Sequence, residues 1–184
     1  MPIRPLSVLS ALLHVYMALR LLPALAMLTP AWPLALAALA VSALTIPLPF
    51  VSRRAERSAS LGQVLRWTGL ISMGWFSSTF VLTLLRDVLL LLAWLADVLG
   101  GLALPWHAVL PWSALAVLAL GTLVSVIGFL NARRTAKVKH VEVPIRGLPA
   151  ALEGFTIAQI SDIHVGPTIR NGYIQRIVDA VNRL

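Results

Sequence analysis

Four long apolar runs, separated by short polar or proline-bearing stretches, dominate the chain and predict membrane-crossing helices rather than a soluble core. They extend from about Leu6 to Leu28, from Leu34 to Val51, from Trp67 to about Ala96 and from Ala108 to Leu130. Each is near the ~20 residues a helix needs to cross hydrocarbon. Thr29-Pro-Ala-Trp-Pro33 pairs turn-forming prolines with an interfacial Trp, and Gly100 to His107 carries no Lys or Arg, so both read as short connectors. Past Leu130 the pattern changes. Apolar and polar residues alternate from Val138 to Ile145, interrupted at His140, as in a half-buried strand, and Gly147-Leu-Pro149 turns the chain. Phe155 to Ile160 is a short apolar, β-branched run expected as a buried strand; Ile174, Ile177, Val178, Val181 and Leu184 then recur at helical spacing. The expected fold is a four-helix membrane bundle over 1–131, a basic linker with a first strand over 132–150, and a strand, loop and helix opening an α/β domain over 151–184.

The interruptions within the apolar runs carry their own information. Arg20 sits inside the first run, and Arg86 and Asp87 inside the third, where ionisable groups are costly against lipid and turn into the bundle or toward a partner. Placing Arg86 and Asp87 at an interface would split the third run and give five spans, with the two basic clusters on opposite sides. Keeping both clusters on one side favours four. Adjacent residues do not share one helix face, so Arg86 and Asp87 need different partners, and Arg20 is the candidate for Asp87. A bundle-locking contact and an ion pathway both suit such a cluster. Small residues at Ala38 and Ser42, and at Gly121 and Ser125, permit close helix approach. His14 lies in the first run, and His107 reads as a wet interfacial histidine without a second ligand beside it. The first run follows Arg4 as a signal peptide would, but it is too long and lacks a small-x-small cleavage site, so it is read as a retained span.

Composition agrees with this reading and narrows the partners. The 184 residues are 59% hydrophobic and only 12% charged, too apolar for an ordinary soluble domain. A net charge of +8 raises the possibility of nucleic acid. The basic residues, however, lie at the edges of apolar runs: Ser52 to Arg66 has four Arg against one Glu, and Asn131 to Lys139 follows the last span. Juxtamembrane contact with anionic lipid accounts for them without aromatic-interleaved nucleic-acid surfaces, and no nucleic acid is expected. With no Cys there is no disulfide, thiol nucleophile or thiolate metal site.

The candidate chemistry is at the end of the Phe155 strand, where Ser161-Asp162-Ile163-His164-Val165-Gly166 follows. If the chain stays extended there, Asp162 and His164 project to the same side and a carboxylate and an imidazole share one first-row divalent ion. Alone, Asp-x-His also suits a polar turn, with Asp162 capping backbone donors and His164 solvated.

The longer string Ile160-Ser-Asp-Ile-His-Val-Gly166, between an apolar strand and an amphipathic helix that Thr168 or Asn171 caps, resembles the first motif of the calcineurin-like metallophosphoesterases. The likeness is to bacterial membrane-anchored members with Ser-Asp-Leu/Ile-His, and it covers roughly the last forty residues. It implies a β-sandwich flanked by helices, two divalent metals (Mn, Fe or Zn) and hydrolysis of phosphomonoesters or phosphodiesters by metal-bridged water. Asp162 and His164 would be catalytic metal ligands, Asp162 also helping to hold the bridging hydroxide. The family's later Gly-Asp, Gly-Asn-His and Gly-x-His strings are not found up to Leu184, so the chain is expected to be the N-terminal piece of a longer enzyme. The resemblance thus predicts a multi-pass protein of a bacterial inner membrane acting on a phosphate ester, lipid-linked among the options, and the two basic clusters on one side then place both termini in the cytoplasm. The rival expectation is a non-enzymatic multi-span scaffold or a small transporter subunit.

Overall fold

In a computed structural model of the chain, residues 3–51, 59–135, 137–163, 166 and 171–184 are described. The chain divides into two compact units, 1–131 and 132–184.

The first unit is helical: α1 (Ile3–Ala26), α2 (Trp32–Thr45), α3 (Leu48–Val51), α4 (Ala59–Gly100) and α5 (Trp106–Ala132). Three of these, α1, α4 and α5, are long and apolar enough to cross a membrane, which corrects the expectation of four. The second apolar run breaks because it contains two prolines. At 14 residues α2 is about 21 Å long, short of a ~30 Å hydrocarbon core. Pro47 cannot donate to the Ala43 carbonyl, as the next residue of a continuing helix would. The Ser10 hydroxyl of α1 donates to that carbonyl instead, at 3.3 Å. The third run, by contrast, is one unbroken helix through Arg86 and Asp87, so the five-span alternative does not hold.

Side-chain pairs fix the direction of each helix. His14 stacks on Phe76, Tyr16 meets Phe80 edge-on and Arg20 pairs with Asp87, so α1 and α4 run the same way. Trp67 with Phe129, Trp75 with Thr122 and Arg86 with Ser113 make α4 and α5 antiparallel. Ser10 with Ala43 and His14 with Ser42 make α1 and α2 antiparallel. Since α1 and α4 are parallel, the chain must return between them, and α2 with α3 forms that shorter leg. The starts of α1 and α4 and the end of α5 therefore share one end of the bundle.

The bundle core is small. Leu21, Ala24 and Leu25 of α1 pack on Ala114 and Val117 of α5, with Leu82 of α4 alongside. Most large apolar side chains of α4 and α5, such as Leu89, Leu92, Leu123 and Ile127, are exposed, as suits helices whose outer solvent is lipid. Where helices touch, small residues let them approach. A Cβ on Gly121 would lie 2.6 Å from Thr79 Oγ1 and 3.2 Å from its Cα, and Gly69 is held as closely by Pro49 and the Thr45 carbonyl.

The second unit holds a 3-10 turn (Ala150–Leu152) and α6 (Asn171–Val181). No strand forms among the described residues, which corrects the expected strands at Val138–Ile145 and Phe155–Ile160 and the opening of a sandwich. The physical reason is visible in the side chains: Phe155 and Ile157 are 72% and 79% exposed, and Val141 and Val143 are also open. With no neighbouring strand to complete a ladder and no layer to bury one face, alternation alone does not form a sheet. The turn at Gly147 is present at φ 76°, and α6 keeps its helical spacing, Arg176 lying over the Tyr173 ring and donating to Thr135 Oγ1 at 3.1 Å.

Because the Gly121 contact is with backbone as well as side chain, Gly121→Val should cost about 1–3 kcal/mol by overpacking. In detergent or nanodiscs this is expected to lower the apparent Tm of the bundle by several degrees. Gly128→Val, on the same helix with nothing within 4 Å of its Cβ, should leave it near the parent value.

Candidate functional sites

Of the two residues singled out by the Ser-Asp-Ile-His string, the structure describes one. Asp162 is exposed and has φ 59°, the left-handed region that Asp tolerates better than most residues. The chain therefore turns at Asp162 instead of continuing extended. His164 lies outside the described residues, as do Thr168 and the basic run 52–58. Among the described residues no group of three or more His, Asp, Glu or Cys comes together to hold a metal. Asp162 and His164 are two donors at most, fewer than the three or more protein ligands that usually retain a catalytic ion, so this segment does not by itself fit a resident metal.

The charged residues in the apolar helices are, in contrast, brought together. Arg20 of α1 donates from Nε to Asp87 Oδ2 at 2.7 Å and from Nη2 to Asp87 Oδ1 at 3.0 Å, the two-pronged geometry of a strong arginine–carboxylate pair. The pairing expected between Arg20 and Asp87 is thus found. Tyr16 also donates to Asp87 Oδ2, at 2.6 Å, so the carboxylate is held by two side chains of α1 one turn apart. The neighbouring Arg86 points elsewhere, as adjacent positions on a helix must. Its side chain is 5% exposed, and its donors reach Ser113 Oγ at 2.9 Å, the Leu110 carbonyl at 3.1 Å and the Arg20 carbonyl at 3.2 Å. One guanidinium thereby ties α4 to both α1 and α5, while remaining 3.6 Å from Asp87 Oδ1.

The carbonyl partners of Arg86 were not foreseeable from residue types, because every position offers a carbonyl. Pro23, three residues beyond Arg20, is the one local hint. Its missing N–H removes the helical donor of the Leu19 carbonyl, the position before the Arg20 carbonyl that Arg86 reaches.

A second buried polar group stands nearer the other end. His14 is 4% exposed, with Nδ1 2.7 Å from the Ser10 carbonyl and Nε2 3.0 Å from Ser42 Oγ. The carbonyl can only accept, so Nδ1 carries a proton, and Nε2 meets the Ser42 hydroxyl, which also reaches the Ser72 carbonyl at 3.5 Å. Thr45 Oγ1 bonds Ser72 Oγ at 2.8 Å beside it. This is a helix-joining cluster and lacks the carboxylates or further histidines of a metal site. The small pair Ala38 and Ser42 is only half used: Ser42 is buried in this cluster and Ala38 is exposed. At the connector between α4 and α5, Asp97 accepts from Trp106 Nε1 at 2.7 Å and from the Leu104 amide at 3.0 Å, closing the turn before α5.

Similar curated proteins combine membrane and phosphoesterase parts in their names. A "Transmembrane protein with metallophosphoesterase domain" of Danio rerio is 42% identical over 67 residues, 36% of this chain and 15% of its own length. The protein of the same name from Bos taurus is 42% identical over 71 residues, 39% of this chain and 16% of its own. The matched stretch is thus a small part of either relative. No family model matches the chain, and no solved structure matches it.

The geometry sets an order among the charged residues. Arg86→Lys should destabilise the bundle more than Arg20→Lys, since one ammonium cannot serve acceptors on two other helices at once. Asp87→Ala should cost about 2 kcal/mol, less than the ~3–5 kcal/mol of a fully buried pair because Arg20 is half exposed. Thermal unfolding of the three variants in one lipid or detergent checks the order; an Arg86→Lys protein as stable as the parent contradicts it.

Proposed function

We propose that this chain is the membrane anchor and the start of the catalytic domain of a metal-dependent phosphoesterase. The observation that supports this best is the joining, on one chain, of apolar spans with a Ser161-Asp162-Ile163-His164 string, matched by relatives whose names join the same two parts. In this reading Asp162 and His164 are donors to the first of two divalent ions, and the remaining ligands come from other parts of the protein. We assign these two residues a metal-holding role and no other. The ester is a phosphomonoester or phosphodiester at or near the membrane, because the anchor confines the domain to the bilayer surface.

The same reading orients the chain. Arg66 lies near the start of α4 and Arg133 and Arg134 follow α5, at the bundle end where α1 also starts. By the positive-inside bias this end faces the cytoplasm, which puts the N-terminus and the segment after α5 on that side.

The test uses the full-length protein that carries this segment, in nanodiscs, with a generic phosphodiester. Hydrolysis should need Mn²⁺ or a similar ion, fall on chelation and return on metal replacement. Asp162→Ala and His164→Ala should each lower turnover at least about tenfold while leaving the Tm of the bundle unchanged, since even supporting residues around a metal cost that much. Turnover equal to the parent's in both variants removes these residues from the site.

A further inference from the structure

The cluster around Asp87 is not electrically balanced. Two guanidiniums, Arg20 and Arg86, share one carboxylate, and the third polar partner, Tyr16, is a neutral donor. The next acidic group along α4 is Asp97, ten residues or about 15 Å away, and it is engaged by the α4–α5 connector. His14, also buried among the described residues of the bundle, can supply no negative charge. A net charge of +1 therefore remains within apolar helices, where an uncompensated charge is expensive.

The excess falls on Arg20. Arg86 is enclosed and its donors are used by carbonyls and a hydroxyl, whereas the Arg20 side chain is 47% exposed on the bundle surface. Its Nε and Nη2 face Asp87, and Nη1 is engaged by no other described residue. Arg20 also lies six residues before the end of α1, about 9 Å along the axis. A helix of 24 residues is about 36 Å long, so its end reaches slightly past a ~30 Å hydrocarbon core, and Arg20 sits just below the headgroup layer. An anion approaching from that layer finds a weakly hydrated guanidinium already held in place by its carboxylate.

We propose that the exposed edge of Arg20 is a binding site for the phosphate of an anionic lipid, at the end of the bundle opposite the basic runs. The lipid supplies the missing negative charge, and its acyl chains cover the exposed apolar flanks of α1 and α4. Guanidinium and phosphodiester make charge-assisted hydrogen bonds, and the pairing of Arg20 with Asp87 fixes the direction in which they are offered. This site is independent of the phosphoesterase reading, since it uses none of the tail.

The test must separate Arg20 from the two basic runs, which also attract anionic lipid. We would therefore use the chain with Arg53, Arg54, Arg57, Arg66, Arg133, Arg134, Lys137 and Lys139 all changed to Gln, and measure binding of phosphatidylglycerol against phosphatidylcholine by native mass spectrometry from mixed micelles. A preference of about tenfold for the first phosphatidylglycerol is expected, and it should disappear in Arg20→Gln and in Arg20→Gln/Asp87→Asn, which keeps the parent cluster's net charge of +1 on the enclosed Arg86, but persist in Tyr16→Phe. Equal binding of the two lipids by the Arg20-containing chain, which needs no further variant to fold, overturns the proposal. So does a preference that survives both Arg20 variants, or one abolished by excess inorganic phosphate at fixed ionic strength, which would make the occupant a soluble anion.

Discussion

Polar groups that enter hydrocarbon must find their partners inside the protein, and the bundle is arranged around that constraint. Lipid gives little hydrophobic drive for one apolar helix to associate with another, so specific contacts decide which helices meet and in what register. In this chain those contacts are Arg86 to the carbonyls of α1 and α5, Arg20 and Tyr16 to Asp87, and His14 to Ser10 and Ser42. The apolar core is small by comparison and fills the space between them. Ser10 shows the constraint at its plainest, since its hydroxyl occupies the Ala43 carbonyl that Pro47 leaves without a donor.

The parallel course of α1 and α4 follows from the same contacts. Three pairs along their length agree on it, two aromatic and one ionic, and the agreement leaves α2 and α3 to carry the chain back. Gly69 and Gly121 allow that arrangement by removing the side chain where neighbouring atoms come closest. The helices with the most exposed apolar surface, α4 and α5, are thus positioned by a few polar or glycine contacts, and the remaining surface is left to lipid.

How much of this was legible in the sequence depends on what each feature requires. The long helices were readable because a run of apolar residues needs nothing beyond its own backbone to satisfy its hydrogen bonds. The Arg20–Asp87 pair was readable because Arg86 and Asp87 are adjacent and do not share one helix face, which made Arg20 the candidate partner for the acid on another helix, although Arg86 also comes within 3.6 Å of it. The second span was over-read: the apolar count from Leu34 to Val51 was right, but Pro47 ends the helix after 14 residues. The carbonyl acceptors of Arg86 left no mark in residue types. In the tail, alternation at Val138 to Ile145 and at Phe155 to Ile160 expresses a preference for strands, but a strand also needs a neighbour, and the exposed Phe155 and Ile157 show that preference unmet.

That difference bears on the candidate metal residues. A carboxylate and an imidazole two apart face the same way only while the backbone between them is extended, and the backbone stays extended only while a ladder holds it. Without the ladder, Asp162 adopts a left-handed turn that its short polar side chain permits. Pairing the Phe155 strand into a sheet would change the conformation at its edge as well as the burial of its apolar face. Whether an Asp-x-His pair faces one way therefore depends on a ladder that holds its backbone, whereas the Arg20–Asp87 pair is complete within helices that make their own hydrogen bonds.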